Sequence, residues 1–304
     1  MITDQSIQTI TCIINGIRPI SAEFRMFIET LKAIYGNNIT VFYTEYKGHA
    51  IEIASKFSFA DHLIMAIGGD GTFNEVVNGI MSSKNGQAAL CLIPNGTGND
   101  FCRSQAIRFE MQNILLAIKN PEFKNYDLGQ VSSGGDKRYF LNVMDAGFGG
   151  YATMLLDRQR RLGLRGGLSY SIAILRTFFK FKKPEVEIFV DNKLHYTGKM
   201  MMLAVSNSNS FGNGLIIYPD SRPDDGLLGV TTLGNVTILD YILNLSNLRK
   251  GNYIKHYDIK YTVCSKLSVN ILSRTAPVET DGEVFGAGNF DVSVIPSILR
   301  VLKY

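Results

Sequence analysis

Apolar residues change period along this chain near residue 120, and that change divides it. Up to that point, short continuous apolar runs at 7–14, 39–43, 63–67 and 88–93 have the length and β-branching of buried strands. Between them lie stretches at helical spacing. Ala22–Tyr35 places Phe24, Phe27, Ile28 and Leu31 on one face, and 73–82 does the same with Val76, Val77 and Ile80. Segments 50–56 and 112–119 also read as helices. Strand–helix alternation of this kind predicts a doubly wound parallel sheet. Beyond Asn120-Pro121 the pattern turns to period two. Glu185–Val190 alternates and ends at Asp191-Asn192, and Lys266–Ile271 alternates in the same way. That is the mark of antiparallel sheet with one solvated face. The predicted fold class is α/β plus β: a doubly wound nucleotide-binding domain over 1–123, then a β-rich domain over 124–289.

Two of the apolar runs end in glycine-rich loops. Leu63–Ile67 runs into Gly68-Gly69-Asp70-Gly71-Thr72 and then a helix; Ala88–Ile93 runs into Pro94-Asn95-Gly96-Thr97-Gly98-Asn99-Asp100-Phe101. Glycine permits φ > 0 and close approach of a phosphate to backbone N–H groups, which a helix N-terminus then favours. Asp70 inside such a nest would repel phosphate unless a cation intervened, so the loop implies Mg²⁺ with a nucleotide. Ligands in open α/β sheets bind at the carboxyl ends of strands, so both loops should face one crevice. Thr72 and Thr97 then offer hydroxyls to phosphate, and Asp70 and Asp100 offer carboxylates to the metal. A ligand-free strand-to-helix turn accounts for either loop singly but poorly for the pair.

Together these motifs resemble the diacylglycerol kinase catalytic-domain family, in its soluble bacterial lipid kinase branch, related to sphingosine and ceramide kinases. The first motif is shared with NAD kinases; the second is far more particular to lipid kinases. The resemblance continues through Thr44 with Gly48-His49-Ala50, Asp145-Ala146-Gly147-Phe148-Gly149, Asp224-Asp225-Gly226-Leu227-Leu228 and Asp281-Gly282-Glu283. It implies a sandwich-like second domain of the NAD kinase type, with 290–304 returning to the first domain. It also implies ATP and Mg²⁺ as cofactors, bound around Thr44, Gly68, Gly69, Asp70, Gly71, Thr72, Phe73, Asn74, Asn95, Gly96 and Thr97.

Phosphoryl transfer needs phosphate positioning, charge neutralisation and a base for the attacking hydroxyl. Asp70 and Asp100 are the catalytic carboxylates of the loops. For the base the candidate is Glu283. Its bare context, Asp281-Gly282, reads more readily as a hairpin turn with a solvated glutamate; the resemblance implies the base. Likewise Arg222–Leu227 reads as a turn before a strand at 228–233. The resemblance implies a structural Mg²⁺ there, held by Asp225 and the carbonyls of Arg222 and Leu227, although Gly229 stands where relatives often carry an acid. The family's opening Asn-Pro-x-Ser/Ala-Gly loop is altered here to Asn15-Gly16-Ile17-Arg18-Pro19, which keeps only the Asn. His49 reads as a helix-start cap more readily than as a nucleotide contact.

Composition narrows the field further. With 45% hydrophobic and 19% charged residues and a formal charge of +4, the chain tolerates an anionic membrane surface without requiring one. No basic helix or zinc-ligand pattern suggests nucleic acid. Four histidines without a close pair argue against a histidine metal centre, and no P-loop or serine elbow is present. Four unclustered cysteines, Cys12 and Cys91 within apolar runs, suit a reducing compartment. No signal-peptide pattern is seen in residues 1–6, nor a run of roughly 18 apolar residues. The expectation is a cytoplasmic protein, peripheral at the inner face of the membrane; a homodimer is compatible. Between Asp157 and Lys183, Arg158, Arg160, Arg161, Arg165, Lys180, Lys182 and Lys183 flank Ile172, Leu175, Phe178 and Phe179, read as one face of either a membrane-approaching or a core helix.

The expected activity is ATP-dependent phosphorylation of a lipid hydroxyl, with diacylglycerol giving phosphatidic acid. Sphingoid bases, ceramide and other lipid alcohols stay open as acceptors. An NAD kinase shares Gly68–Thr72 but leaves Pro94–Phe101 unexplained. A non-catalytic nucleotide or lipid sensor would have no use for Asp70, Asp100 and Glu283 together.

Overall fold

The computed structural model describes residues 7–17, 19–84, 86–161, 167–212 and 214–304. Arg18, Arg165 and the side chains of Asp157, Arg160 and Arg161 lie outside what it describes. The chain forms two units, 1–126 with 297–304, and 127–296. The first cut falls three residues beyond that read from the change of period, and the second seven residues beyond the return at 290 that the resemblance implies.

The first unit alternates β1 (Thr9–Asn15), α1 (Ala22–Tyr35), β2 (Ile39–Thr44), α2 (His49–Lys56), β3 (His62–Gly68), α3 (Asp70–Ser82), β4 (Ala89–Pro94), α4 (Asp100–Ser104) and α5 (Met111–Lys119). Its strands lie in the order β2-β1-β3-β4, all parallel. Crossover helices cover both faces, which explains why β3 is buried along its whole length and reads as an unbroken apolar run. Phe24, Phe27, Ile28 and Leu31 of α1 and Ile114 and Ile118 of α5 close one face over Ile10, Cys12, Met65 and Cys91. Each large side chain so buried contributes about 1.5–3 kcal/mol. Ser21 starts α1, its hydroxyl accepting from the Phe24 N–H. A Cβ at Gly79 would lie 2.5 Å from the Ile51 carbonyl oxygen, so a glycine lets α3 pack tightly against α2.

The second unit begins within β5 (Phe123–Ser133) and continues through β6 (Asp136–Phe140), β7 (Val143–Gly147), α6 (Phe148–Arg161), α7 (Gly167–Lys180), β8 (Glu185–Val190), β9 (Lys193–Lys199), β10 (Met202–Ser206), the short β11 (Ser210–Phe211) and β12 (Leu215–Ile216), β13 (Leu228–Leu233), α8 (Ile238–Lys250), β14 (Ile259–Cys264), β15 (Lys266–Ile271), β16 (Pro277–Thr280), β17 (Glu283–Ala287) and β18 (Phe290–Leu302). One antiparallel layer runs β14-β13-β10-β7-β16-β17. The other contains β15, β8 and β9 with the first half of β18, and the β5–β6 hairpin. Met144, Leu203, Val205 and Val230 of the first layer pack with Val186, Ile188, Leu267 and Val292 of the second, which makes a sandwich. The first layer's outer face carries Val143, Met202 and Ala204 against residues of α7 and α8.

The strand β18 is divided between the units: Phe290–Ser293 pair with β15, and Val301 lies parallel beside Leu90 of β4. All four cysteines are buried and free. Burial pushes the Cys12 thiol up to about 12, so it behaves as an inert core residue. No helix of the described residues is long and apolar enough to cross a membrane.

Candidate active site

In the first unit, the carboxyl ends of four neighbouring strands meet through side-chain and loop contacts. The Asn15 amide, at the end of β1, donates to Thr72 Oγ1 at 3.1 Å. The Gly16 N–H donates to Thr44 Oγ1, at the end of β2, at 3.2 Å. The Asn95 N–H donates to the Gly68 carbonyl at 2.6 Å, and the Asp100 N–H to Asp70 Oδ1 at 2.7 Å. The two glycine motifs are thus tied together directly, and the altered Asn15-Gly16 loop joins them.

Positive φ is not what these glycines supply. Gly68, Gly69, Gly71, Gly96 and Gly98 all lie outside the left-handed region. What the loops need is absence of a side chain. A Cβ on Gly96 would stand 2.5 Å from Gly69 Cα, one on Gly68 2.5 Å from Thr72 Oγ1, and one on Gly98 2.8 Å from Asp70 Oδ2. A Cβ on Gly71 would meet nothing within 4 Å. The helix also starts a turn earlier than its apolar spacing predicts. Its N-cap is Gly69 and Asp70 is its first residue. No side chain caps it, so first-turn N–H groups are left for an anion, as a helix N-terminus allows.

Other predicted binding residues divide into available and enclosed. Thr97 is exposed, whereas Thr72 is buried beneath Asn15. The rings and amides of Phe73 and Asn74 are fully buried, and Asn78 donates to Asn74, so only their main chain could reach a nucleotide. Asn95 Nδ2 is buried with no hydrogen-bond partner, a polar atom that a phosphate or water would satisfy. Asp100 is 6% exposed and pairs with Arg103 at 3.3 Å, while Arg103 also donates to the Gly98 carbonyl at 2.6 Å. Among the described residues no group of three or more His, Cys, Asp and Glu is placed to hold a metal by itself. Mg²⁺ commonly takes one or two carboxylates and completes its shell with phosphate and water, and Asp70 and Asp100 fit that use.

Glu75 escaped sequence reasoning. From α3, its buried carboxylate accepts the Gly48 and Ala50 N–H groups at 2.9 and 3.2 Å, capping α2 from a neighbouring helix. His49 does not cap: its Nδ1 accepts the Glu45 N–H and its ring stacks on Tyr46, closing the 45–49 loop.

In the second unit, Asp281-Gly282 forms the two-residue turn between β16 and β17, with φ of 48° and 85°. Positive φ at both positions is a type I′ turn, which favours glycine at the second. The turn is also fixed from outside. Asp281 accepts the N–H groups of Leu141, Asn142 and Val143 at 2.8, 2.9 and 3.2 Å. Glu283 opens β17, mostly buried rather than solvated, and Arg138 holds its Oε2 at 2.5 Å. The hairpin turn and the placed carboxylate, which look like competing readings of sequence, are the same structure.

Two further carboxyls lie next to it. Asp145 of β7 and Glu279 of β16 are cross-strand partners at 2% and 5% exposure, and burial raises the pKa of both. The signal was partial: Asp145 stands alone in the apolar segment Val143–Gly147, whereas Glu279 lies between Val278 and Thr280. In the Arg222–Leu227 turn, Asp225 Oδ1 accepts the Leu227 N–H at 3.0 Å. Asp127, 1% exposed, accepts the Gly226 N–H at 2.7 Å and donates its own to the Pro223 carbonyl. Burial first, then the charges of Asp127 and Asp224, raises the Asp225 pKa. Crowded hard oxygens of this kind fit Mg²⁺. Asp127, 98 residues away in sequence, was not legible as part of that turn.

Comparison with known proteins agrees with the two-unit architecture. Residues 10–131 match the diacylglycerol kinase catalytic domain, and 142–303 match the YegS C-terminal NAD kinase beta sandwich-like domain. A diacylglycerol kinase of Bacillus subtilis is 33% identical over 78% of this chain and 76% of its own. A Pseudomonas aeruginosa protein named "Probable lipid kinase YegS-like" is 30% identical over 88% and 85%. The crystal structure of a diacylglycerol kinase from Bacillus anthracis superposes with a TM-score of 0.67 at 18% identity, over 98% of this chain and 97% of that one. The chain belongs to the family of bacterial lipid kinases that join a diacylglycerol kinase catalytic domain to a YegS-type C-terminal domain.

Proposed function

We propose that this chain transfers the γ-phosphoryl group of ATP to the hydroxyl of diacylglycerol, giving phosphatidic acid. The observation that carries a lipid acceptor is the strand that starts with the base. β17 begins at Glu283 and continues through Val284 and Phe285 into the wall of an open cleft of about 540 Å³. Tyr151, Met154 and Phe181 line the rest of that wall, and Lys180, Lys182 and Arg274 stand around it. Apolar walls suit acyl chains, and cations suit an anionic product or interface.

The residues divide the work in chemical order. Gly68–Thr72 and Asn95–Thr97 seat the phosphates at the N-terminus of α3, with Thr44 and Asn15 holding the neighbouring loops in place. Bound Mg²⁺, held by Asp70 and Asp100, would neutralise charge on the transferred group. Arg138 orients the Glu283 carboxylate. The acceptor hydroxyl gives its proton to Glu283 as its oxygen bonds to the γ-phosphorus, and the bond to the β-phosphate oxygen breaks to leave ADP. A second, structural Mg²⁺ is assigned to Asp225 with the Arg222 and Leu227 carbonyls.

The test is transfer from labelled ATP to micellar diacylglycerol, monoacylglycerol, ceramide and sphingosine, with NAD as the off-class acceptor. Diacylglycerol should be labelled, and Glu283→Gln should lose about 10²–10⁴-fold in rate while still binding nucleotide. Labelling of ceramide or sphingosine instead would replace the acceptor within the class. Labelling of NAD alone would overturn it.

A further inference from the structure

Two helices of the second unit turn apolar side chains both ways. The inner faces join one core: Ile174, Phe178 and Phe181 on the α7 side, Tyr241 and Leu248 on α8. Phe178 therefore parts from Ile172, Leu175 and Phe179, with which the sequence had grouped it. Those three point outward at 37%, 49% and 78% exposure. On α8 the outward row is Leu239, Ile242 and Leu243, at 60%, 60% and 69%. That spacing, i, i+3 and i+4, is one continuous face. The Phe178 and Tyr241 rings lie 5.7 Å apart, and Lys183 donates to the Val236 carbonyl just ahead of α8, so the C-terminal end of α7 meets the start of α8.

Isolated exposed apolar residues need no explanation, but two such rows on helices that touch do. The exposed charges beside them are mainly basic. Arg176, Lys180, Lys182, Arg249 and Lys250 are exposed, and no acid occurs between 167 and 184. α8 contains one acid, Asp240, whose carboxylate accepts the Thr237 N–H at 2.8 Å and lies 3.8 Å from His256. A second copy of the chain on this face would set cation against cation. An anionic surface with an apolar interior matches both the stripe and its flanks.

We propose that the α8 row Leu239–Ile242–Leu243, joined by Ile172, Leu175 and Phe179 of α7, docks on an anionic lipid surface. This rests on the lipid-acceptor reading, and it places that acceptor's source on the face from which Lys180 and Lys182 continue into the cleft beside β17. Apolar side chains enter the acyl boundary while the basic flanks meet headgroups.

The chain has no tryptophan, so Leu243→Trp supplies a single reporter. With vesicles of equal phosphatidylglycerol and phosphatidylcholine, its emission should shift to the blue and be quenched by brominated lipid. Leu116→Trp, on exposed α5, should do neither. Leu239→Ser with Leu243→Ser should weaken co-sedimentation with the same vesicles about tenfold or more, and Arg249→Glu with Lys250→Glu should weaken it most at low salt. Vesicle binding needs no turnover, so it reports on docking whether or not the acceptor has been named correctly. Unchanged binding by both double variants, no emission shift at 243, or dissociation of a wild-type dimer by the serine pair would each overturn the proposal.

Discussion

Glu279 and Asp145 face each other across the β16–β7 ladder, and neither carboxyl reaches water. The Gly150 N–H, in the first turn of α6, donates to Asp145 Oδ1 at 2.8 Å and favours charge there. Burial raises the pKa of Glu279, and the charges of Asp145 and Asp281 raise it further. The pair therefore holds a proton more tightly than two free carboxyls would, with Glu279 raised the further above its ordinary value. Because that proton is bound more tightly in the folded chain, the associated stability is full below the ordinary glutamate value of 4.5. It is lost as pH rises through the folded value, at up to about 1.4 kcal/mol per pH unit. Thermal melts from about pH 5 to about pH 8 should show this decline, and Glu279→Gln should flatten it while retaining transfer. An equal slope in both proteins would mean that the pair carries no proton.

Asp281 fixes the hairpin that presents Glu283, through three charge-assisted bonds to 141–143. Asp281→Asn keeps the shape and loses the charge, and should cost about 2–4 kcal/mol of stability. Transfer should fall through kcat with KM for ATP little changed, because the phosphate loops do not contain the residue. A rise in KM for ATP with kcat intact would be evidence against this separation.

Glu75 makes a comparable nonlocal cap in the first unit. Glu75→Ala leaves the Gly48 and Ala50 N–H groups without their acceptor, and urea melts should show about 2–4 kcal/mol lost. Glu75→Gln retains one acceptor oxygen and should lose less. Equal losses would mean that packing, not the cap, sets the cost.

Local pattern carried most of the first unit. Ala22–Tyr35 is the helix its apolar spacing predicts, because amphipathicity acts within a few residues, and the structure adds the caps Ser21 and Gly36. The start of α3 did not follow, since Asp70 and Gly71 carry no apolar signal and enter the helix by backbone geometry alone. The glycine loops were legible as a site, but their mechanism was not. The close approaches at Gly68, Gly96 and Gly98 show that packing, rather than φ, requires glycine there. Glu75 and Asp127 were invisible for one reason: each serves a turn far away in sequence, and spacing cannot report a contact made by the fold.

Gly71 and Gly96 separate what the protein needs from what a phosphate needs. A methyl on Gly96 would strike Gly69 Cα, so Gly96→Ala should force the loops apart, at about 1–3 kcal/mol in stability, and weaken nucleotide binding as well. A methyl on Gly71 meets no protein atom, and the residue is already helical. Gly71→Ala should therefore leave the melt unchanged or raise stability by up to about 1 kcal/mol. If phosphate sits against the first turn of α3, the same methyl occupies its place, and the Kd for ATP should rise about tenfold or more. Calorimetric titration of the two variants beside their melts separates the cases. Loss of affinity without loss of stability at 71 locates the phosphate on that turn, and unchanged affinity there moves it elsewhere.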